Sequence, residues 1–144
     1  MPPLHPAVDR LPEAVVTLET ADDEVEVVVR VAADDASRRR GLMEVADLPP
    51  GYGMLFVFDD DRDGGFWMWN TLTDLDIAFA DEAGEVHTVA TMTPCDAEDP
   101  ADCPVTTPDA SYRTALEVPG GWFEEVGVTP GARLAWRDLT DRDR

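Results

Sequence analysis

The clearest pattern along the chain is a period of two. In Glu24–Ala32 (EVEVVVRVA), Val25, Val27, Val29 and Val31 fall on one face, and Glu24, Glu26 and Arg30 on the other. That alternation predicts a half-buried β-strand. Glu13–Thr20 (EAVVTLET) reads as a strand before it, with Asp22-Asp23 as a hairpin turn. Asp34-Asp35 then supplies an N-cap and first-turn acids for a short helix through Ala36–Met43. Arg38, Arg39 and Arg40 stand toward its negative C-terminal end, and Pro49-Pro50-Gly51 stops any continuation. Gly53–Phe58 (GMLFVF) predicts a buried strand, Asp59–Gly65 a turn, and Gly65–Asn70 (GFWMWN) the next strand. Leu75–Ala80 and Glu85–Met92, joined by a turn at Asp81–Gly84, predict a hairpin. Ser111–Val118 and Arg133–Arg137 read as further strands, and Trp122–Val126, closed by Gly127, as a single helical turn.

The segments between them are less regular. Residues 1–12 carry four prolines and read as a loose arm. Residues 93–109 form the longest irregular stretch, with four prolines and both cysteines, and long loops in compact domains are often functional. Asp138–Arg144 is polar, so a single domain is expected over 13–138, with a tail at 139–144. Strands at regular spacing without β-α alternation predict a mainly β fold, an antiparallel sandwich or small barrel of about eight short strands with two short helices.

Composition narrows the function more than the fold. A chain of 144 residues suits one domain. No apolar run reaches the roughly 18 residues of a membrane-spanning helix, so no membrane insertion is expected. Acids number 31 against 11 basic residues, all of them arginine, for a net charge of −20. Such a field repels phosphate backbones and excludes nucleic-acid binding through a basic surface. Acids dispersed along the chain point to a solvated coat adapted to high salt. Met1–Pro6 has neither a basic nor an apolar leader segment, so a cytoplasmic location is expected, a processed leader being the alternative.

Several motifs taken together carry a resemblance. The ordered set is RRRGLM (Arg38–Met43), GMLFVF (Gly53–Phe58), GFWMWNT (Gly65–Thr71), LTDLDIAFAD (Leu72–Asp81), a Pro-rich loop with cysteine, YRTALEVPGG (Tyr112–Gly121) and GVTPGARL (Gly127–Leu134). This order and spacing resembles the domain of unknown function 192 family over residues 15–137. The resemblance implies a compact, mainly β domain and no established activity. Where the family pattern carries a basic residue after the Trp-Met pair, this chain has Trp69.

Candidate chemistry centres on that middle segment. Phe66 and Met68 point one way and Trp67 and Trp69 the other, as in a buried central strand or as a stacking platform. As a platform, Trp69 would be the exposed member and Trp67 the deeper one. Asp74 and Asp76, at i and i+2, would share a strand face roughly 7 Å apart, fit to split acid and base roles. Asp59, Asp61, Asp63 and Gly64 match half of a calcium loop, but its twelfth position is Asn70 and strands flank it, so a hairpin turn is expected and no metal site. Cys95 and Cys103 fit either reduced thiols in a cytoplasm or a loop-bracing disulfide in an oxidising compartment. With His87 they match no zinc spacing, and no nucleotide or hydrolase signature occurs, so no cofactor is expected. The leading expectation is a domain binding a small molecule or a protein through Trp67, Trp69, Asn70, Thr71, Asp74, Asp76, Tyr112, Arg113 and Glu117. The alternative is an enzyme using Asp74 and Asp76, with His87 or Cys95.

Overall fold

The computed structural model describes residues 1–139, so the expected polar tail lies outside the described residues except for Leu139. Among them nine strands form: β1 (Glu13–Glu19), β2 (Glu24–Ala32), β3 (Tyr52–Arg62), β4 (Phe66–Trp67), β5 (Leu75–Ala80), β6 (Val86–Met92), β7 (Val105–Thr106), β8 (Tyr112–Pro119) and β9 (Arg133–Asp138). Three short helices accompany them: α1 (Pro6–Asp9), α2 (Asp35–Arg40) and α3 (Trp122–Val126). The protein is mainly β, as the alternation predicts.

Seven strands make one sheet in the order β6-β5-β8-β3-β2-β1-β9, while β4 and β7 pair separately. The sheet is mixed rather than purely antiparallel, because β2 and β3 run parallel. Parallel neighbours need a long crossover, and the 33–51 connection carrying α2 provides it. The sheet curls until its edges touch. Glu85 bridges Arg133, Val86 N donates to Ala132 O at 2.8 Å, and Leu134 N donates to Gly84 O at 2.7 Å. Gly84 sits at φ 86°, and a Cβ there would strike the Leu134 carbonyl, so glycine permits the approach.

Curling gives the sheet an inside and an outside, and both are apolar. The inner cluster holds the alternating valines of β2, Leu116 and Val118 of β8, and Ala78 and Ala80 of β5, with Phe123 of α3 packed against them. The outer cluster holds Met54 and Phe56 of β3, Leu75, Ile77 and Phe79 of β5, and Ala115 of β8. All six residues of β5 are buried, as expected of a strand covered on both faces.

The cover of the outer face departs most from expectation. The N-terminal segment is docked, not loose: Val8 and Leu11 are buried in the outer cluster. Its proline-rich sequence suits the start of α1, where Pro6 occupies the first turn and His5 Nδ1 accepts from Ala7 N at 3.1 Å. The turn expected at Asp59–Gly65 is in part strand, since β3 runs on to Arg62. The strand expected over Gly65–Asn70 shrinks to Phe66–Trp67. A Cβ at Gly65 would strike Val105 and Thr106, so glycine lets β7 lie close beside the start of β4, and Asn70 turns the chain away at φ 56°.

Candidate functional site

Three segments meet over the outer cluster. The first is the end of α2. Asp34 Oδ1 accepts from Ser37 N at 2.7 Å and closes a capping box, which starts the helix firmly. Gly41 ends it at φ 53°, with Phe56 only 3.3 Å from where a Cβ would stand. A larger residue would be strained and would press on that ring. The helix therefore delivers Arg38, Arg39 and Arg40 to the edge of the outer face, where its C-terminal dipole favours cations.

The second segment is the far end of β3. Between Val57 and Arg62 the ladder to β8 slips, β3 spending five residues where β8 spends the two from Thr114 to Tyr112. The bulge bends the strand. Phe58 lies under two guanidinium groups, Arg38 at 4.8 Å and Arg62 at 5.1 Å from its ring centroid. The third segment is 63–67. Tyr112 OH donates to Gly64 O at 2.8 Å and pins it. Burial pushes the Tyr112 hydroxyl above its usual pKa, with Arg62 opposing.

Between them lies a cleft of about 530 Å³, within the ordinary range for small-molecule sites. Its buried lining, Gly41, Leu42, Phe56, Thr71, Tyr112 and Glu117, forms the floor; Arg39, Trp67 and Val105 are exposed at the rim. Four of the eleven arginines line it, Arg38, Arg39, Arg40 and Arg62, against two acids, Asp63 and Glu117. Arg38 donates to Val57 O at 2.9 Å and pairs with Asp35, and Arg62 pairs with Asp60 at 2.6 Å. Arg40 reaches His5, Met43 O and Glu44, yet its Nε is buried with no partner. Among the described residues Arg39 has no side-chain partner.

Glu117 is the other unusual group. It sits mid-strand on β8 between Met54 of β3 and Ile77 of β5, and is 4% exposed. Among the described residues nothing donates to its carboxylate. Burial alone pushes its pKa from 4.5 up to about 8, so at neutral pH the carboxyl carries its proton.

The structure divides the predicted site residues. Trp67, Thr71, Tyr112 and Glu117 line the cleft. Trp69 does not: its indole N–H donates to Ala97 O at 3.0 Å, and Trp67 is the more open of the two at 37% exposure. The expected order of the two tryptophans is thus reversed, because the loop through Ala97 covers Trp69. Asn70 is a turn residue whose carbonyl accepts from Glu44 N. Arg113 pairs with Asp61 at 3.1 Å and Glu82 at 3.7 Å, away from the cleft. Asp74 is exposed, and its carbonyl accepts from Gly120 N.

Asp76 is buried on the inner face, where it accepts from Thr91 Oγ1 at 2.7 Å and Phe123 N at 3.1 Å. It caps structure there, and the expected carboxylate pair does not form a site. His87 bonds Thr88 Oγ1 and Ser111 O. Cys95 and Cys103 form a disulfide, the second of the two readings the spacing allows. Asp59 and Asp61 lie on β3, so the calcium-loop fragment is not a loop.

The sequence reading missed the arginines, Phe56, Phe58 and the Gly64-Gly65 corner. The available signal was RRRGLM itself: three consecutive cations in so acidic a chain are anomalous beyond what a helix dipole requires.

Comparison with known proteins supports the fold and leaves the site unassigned. No curated protein matches the chain. A solved structure from Novosphingobium aromaticivorans, of unknown function, is 27% identical with a TM-score of 0.83, covering 94% of this chain and 93% of its own. Another, from Sinorhizobium meliloti and described as a candidate transcription regulator, is 29% identical with a TM-score of 0.79, covering 88% of this chain and 95% of its own. The model of the uncharacterised family DUF192, "Uncharacterized ACR", matches residues 16–136, nearly all of the sheet and every wall of the cleft, and the chain belongs to that family.

Proposed function

We propose that this chain is a small-molecule-binding domain whose cleft takes an anionic ligand with an apolar ring. The observation that carries the reading is the concentration of four arginines in one cleft of a protein with net charge −20. Arginine forks suit carboxylates and phosphates, and a desolvated wall strengthens each bond. Exposed Trp67 offers a ring face beside the cations. The concave shape favours a small molecule over a protein partner. The regulator description of the Sinorhizobium protein carries little to this chain, since the overall charge opposes DNA. Acid–base chemistry on Asp74 and Asp76 has less support, because Asp76 is engaged on the inner face.

The setting follows from two further features. The Cys95–Cys103 disulfide favours an oxidising compartment over a cytoplasm. The dispersed acids favour high salt, and a melting temperature unmoved between low and molar KCl would remove that part of the proposal.

Calorimetric titration tests the binding. 4-Methylbenzoate is expected to bind about tenfold more tightly than its uncharged amide, 4-methylbenzamide, and Arg39→Gln to narrow the gap. Equal binding of the two would defeat the anion reading.

A further inference from the structure

Glu117 has no use in the anion-binding reading, and it is the least satisfied buried acid among the described residues. Its backbone is held on both sides, by β3 opposite Met54 and by β5 opposite Ile77, so the side chain stays on the outer face. It stands at the cleft floor, 4% exposed, among apolar neighbours. Buried polar groups in folded proteins almost always have a partner, so one left without a protein partner on a cleft floor is free to meet an atom that enters the cleft.

Resting on the anion-binding reading, we propose that Glu117 is a ligand contact: its protonated carboxyl donates a hydrogen bond to an uncharged oxygen acceptor at the buried end of the ligand. The cleft then takes ring compounds with an anion at one end, held by the arginines, and a carbonyl-type oxygen at the other.

The surroundings favour a donor over a carboxylate. Met54 and Ile77 bring no charge. The titratable and charged groups of the cleft are Arg38, Arg39 and Arg40 from α2, Arg62 and Asp63 at the end of β3, and Tyr112 on β8. The Tyr112 hydroxyl is committed to Gly64 O and raised above its usual pKa, so it does not compete as a donor or titrate near neutrality. Burial pushes Glu117 up to about 8, and no cation offsets it. Below that pH the site is a neutral donor; above it a buried negative charge faces the ligand.

Three para-substituted benzoates test this by calorimetry at fixed KCl: 4-acetylbenzoate with an acceptor, 4-methylbenzoate without one, and 4-(aminomethyl)benzoate with a cation. At pH 6.5 the acetyl compound is expected to bind about tenfold more tightly than the methyl one. The preference should fall away above pH 8, by up to about tenfold per pH unit. Glu117→Gln, which keeps an N–H donor, should retain the preference at every pH. Glu117→Leu should lose it while still binding 4-methylbenzoate. Tightest binding by the aminomethyl compound, rising through pH 8, would overturn the proposal by showing that Glu117 serves a cation. Equal affinity for the acetyl and methyl compounds would overturn it and leave the anion site standing. No binding by any of the three would overturn both readings.

Discussion

Asp76 and Glu117 are buried carboxyl groups on neighbouring strands of the same sheet, one residue apart in register: Asp76 stands opposite Val118 and Glu117 opposite Ile77. They are 3% and 4% exposed. The alternation of the strands turns them to opposite faces. Inside the curled sheet, both oxygens of Asp76 are taken, one by Thr91 and one by the backbone N–H that begins α3. That helix brings Phe123 into the inner cluster, so Asp76 helps close the interior. Outside, Glu117 has the same burial and, among the described residues, no partner. A closed core satisfies its polar groups from within, whereas a group left open on a cleft floor is available to something that comes and goes.

The largest effect that would sharpen this contrast is in the pH dependence of stability. The folded-state pKa of Glu117, about 8, lies above its ordinary value of 4.5. The native state therefore holds a proton that the unfolded chain releases, and the contribution of Glu117 to stability falls as pH rises from 4.5 through about 8. Glu117→Gln removes that titration. Its stability relative to the parent should gain on the order of 4 kcal/mol between pH 4 and pH 9, accumulating at about 1.4 kcal/mol for each pH unit between the two pKa values. Urea unfolding of both proteins in molar KCl across that range measures it. Parallel curves would mean that the carboxyl finds a partner after all.

Next in size is the removal of the satisfied member. Asp76→Ala strands the buried Phe123 N–H and removes the bond from exposed Thr91, and should cost about 3 kcal/mol at neutral pH. Glu117→Leu, apolar on an apolar face, should cost less than about 1 kcal/mol. Similar losses from both, read from urea midpoints, would erase the distinction between the faces.

The sequence makes one side of this contrast easier to see than the other. Strands of the inner face are legible because valines and small residues repeat at a period of two, as at Val25, Val27, Val29 and Val31, and burial follows that period. The parallel pairing of β2 and β3 is not legible, because the helix between them is short and a hairpin-like reading costs the pattern nothing. The cover of the outer face obeys no period. Val8 and Leu11 look like stray apolar residues in a proline-rich arm until they are seen on the outer cluster. At the site, Trp67 and Glu117 stand out by type, but three of the four arginines that line the cleft, Arg38, Arg39 and Arg40, lie far from them in sequence. Asp74 and Asp76 mislead for the reason two-residue spacing often does in an acidic chain: it places carboxylates near one another without a shared cavity.

The disulfide tests whether the cover and the sheet are separable. Cys95 and Cys103 close a short loop, and Cys103→Ser with Cys95→Ser should cost about 2–3 kcal/mol. Amide exchange should localise the change. The loop holds Trp69 through Ala97 O, bridges Cys95 to the same segment, and leads into β7 beside β4. Faster exchange is expected in 66–70 and 103–106, with β1, β2 and β9 unchanged. Uniform loss across the sheet would show cover and core to be one cooperative unit.

The smallest effect separates the two tryptophans, and it is the one that bears most directly on the cleft. Their rings lie 6.1 Å apart at 51°, close enough to look like a single platform. Their surroundings differ. Trp69 is half-buried under the disulfide loop, and its N–H is spent on Ala97 O, so Trp69→Ala removes packing and leaves a carbonyl short of a donor. That should cost about 2 kcal/mol. Trp67 has no such bond among the described residues and is 37% exposed at the rim, so Trp67→Ala should cost less than about 1 kcal/mol. The binding results should run the other way: Trp67→Ala weakens 4-methylbenzoate severalfold by removing a ring face, and Trp69→Ala leaves it nearly unchanged once the protein is folded. A tryptophan whose loss lowers stability and binding together would be holding the wall in place. One whose loss lowers binding alone is part of the wall a ligand touches, and Trp67, exposed at the rim, is the one expected to behave so.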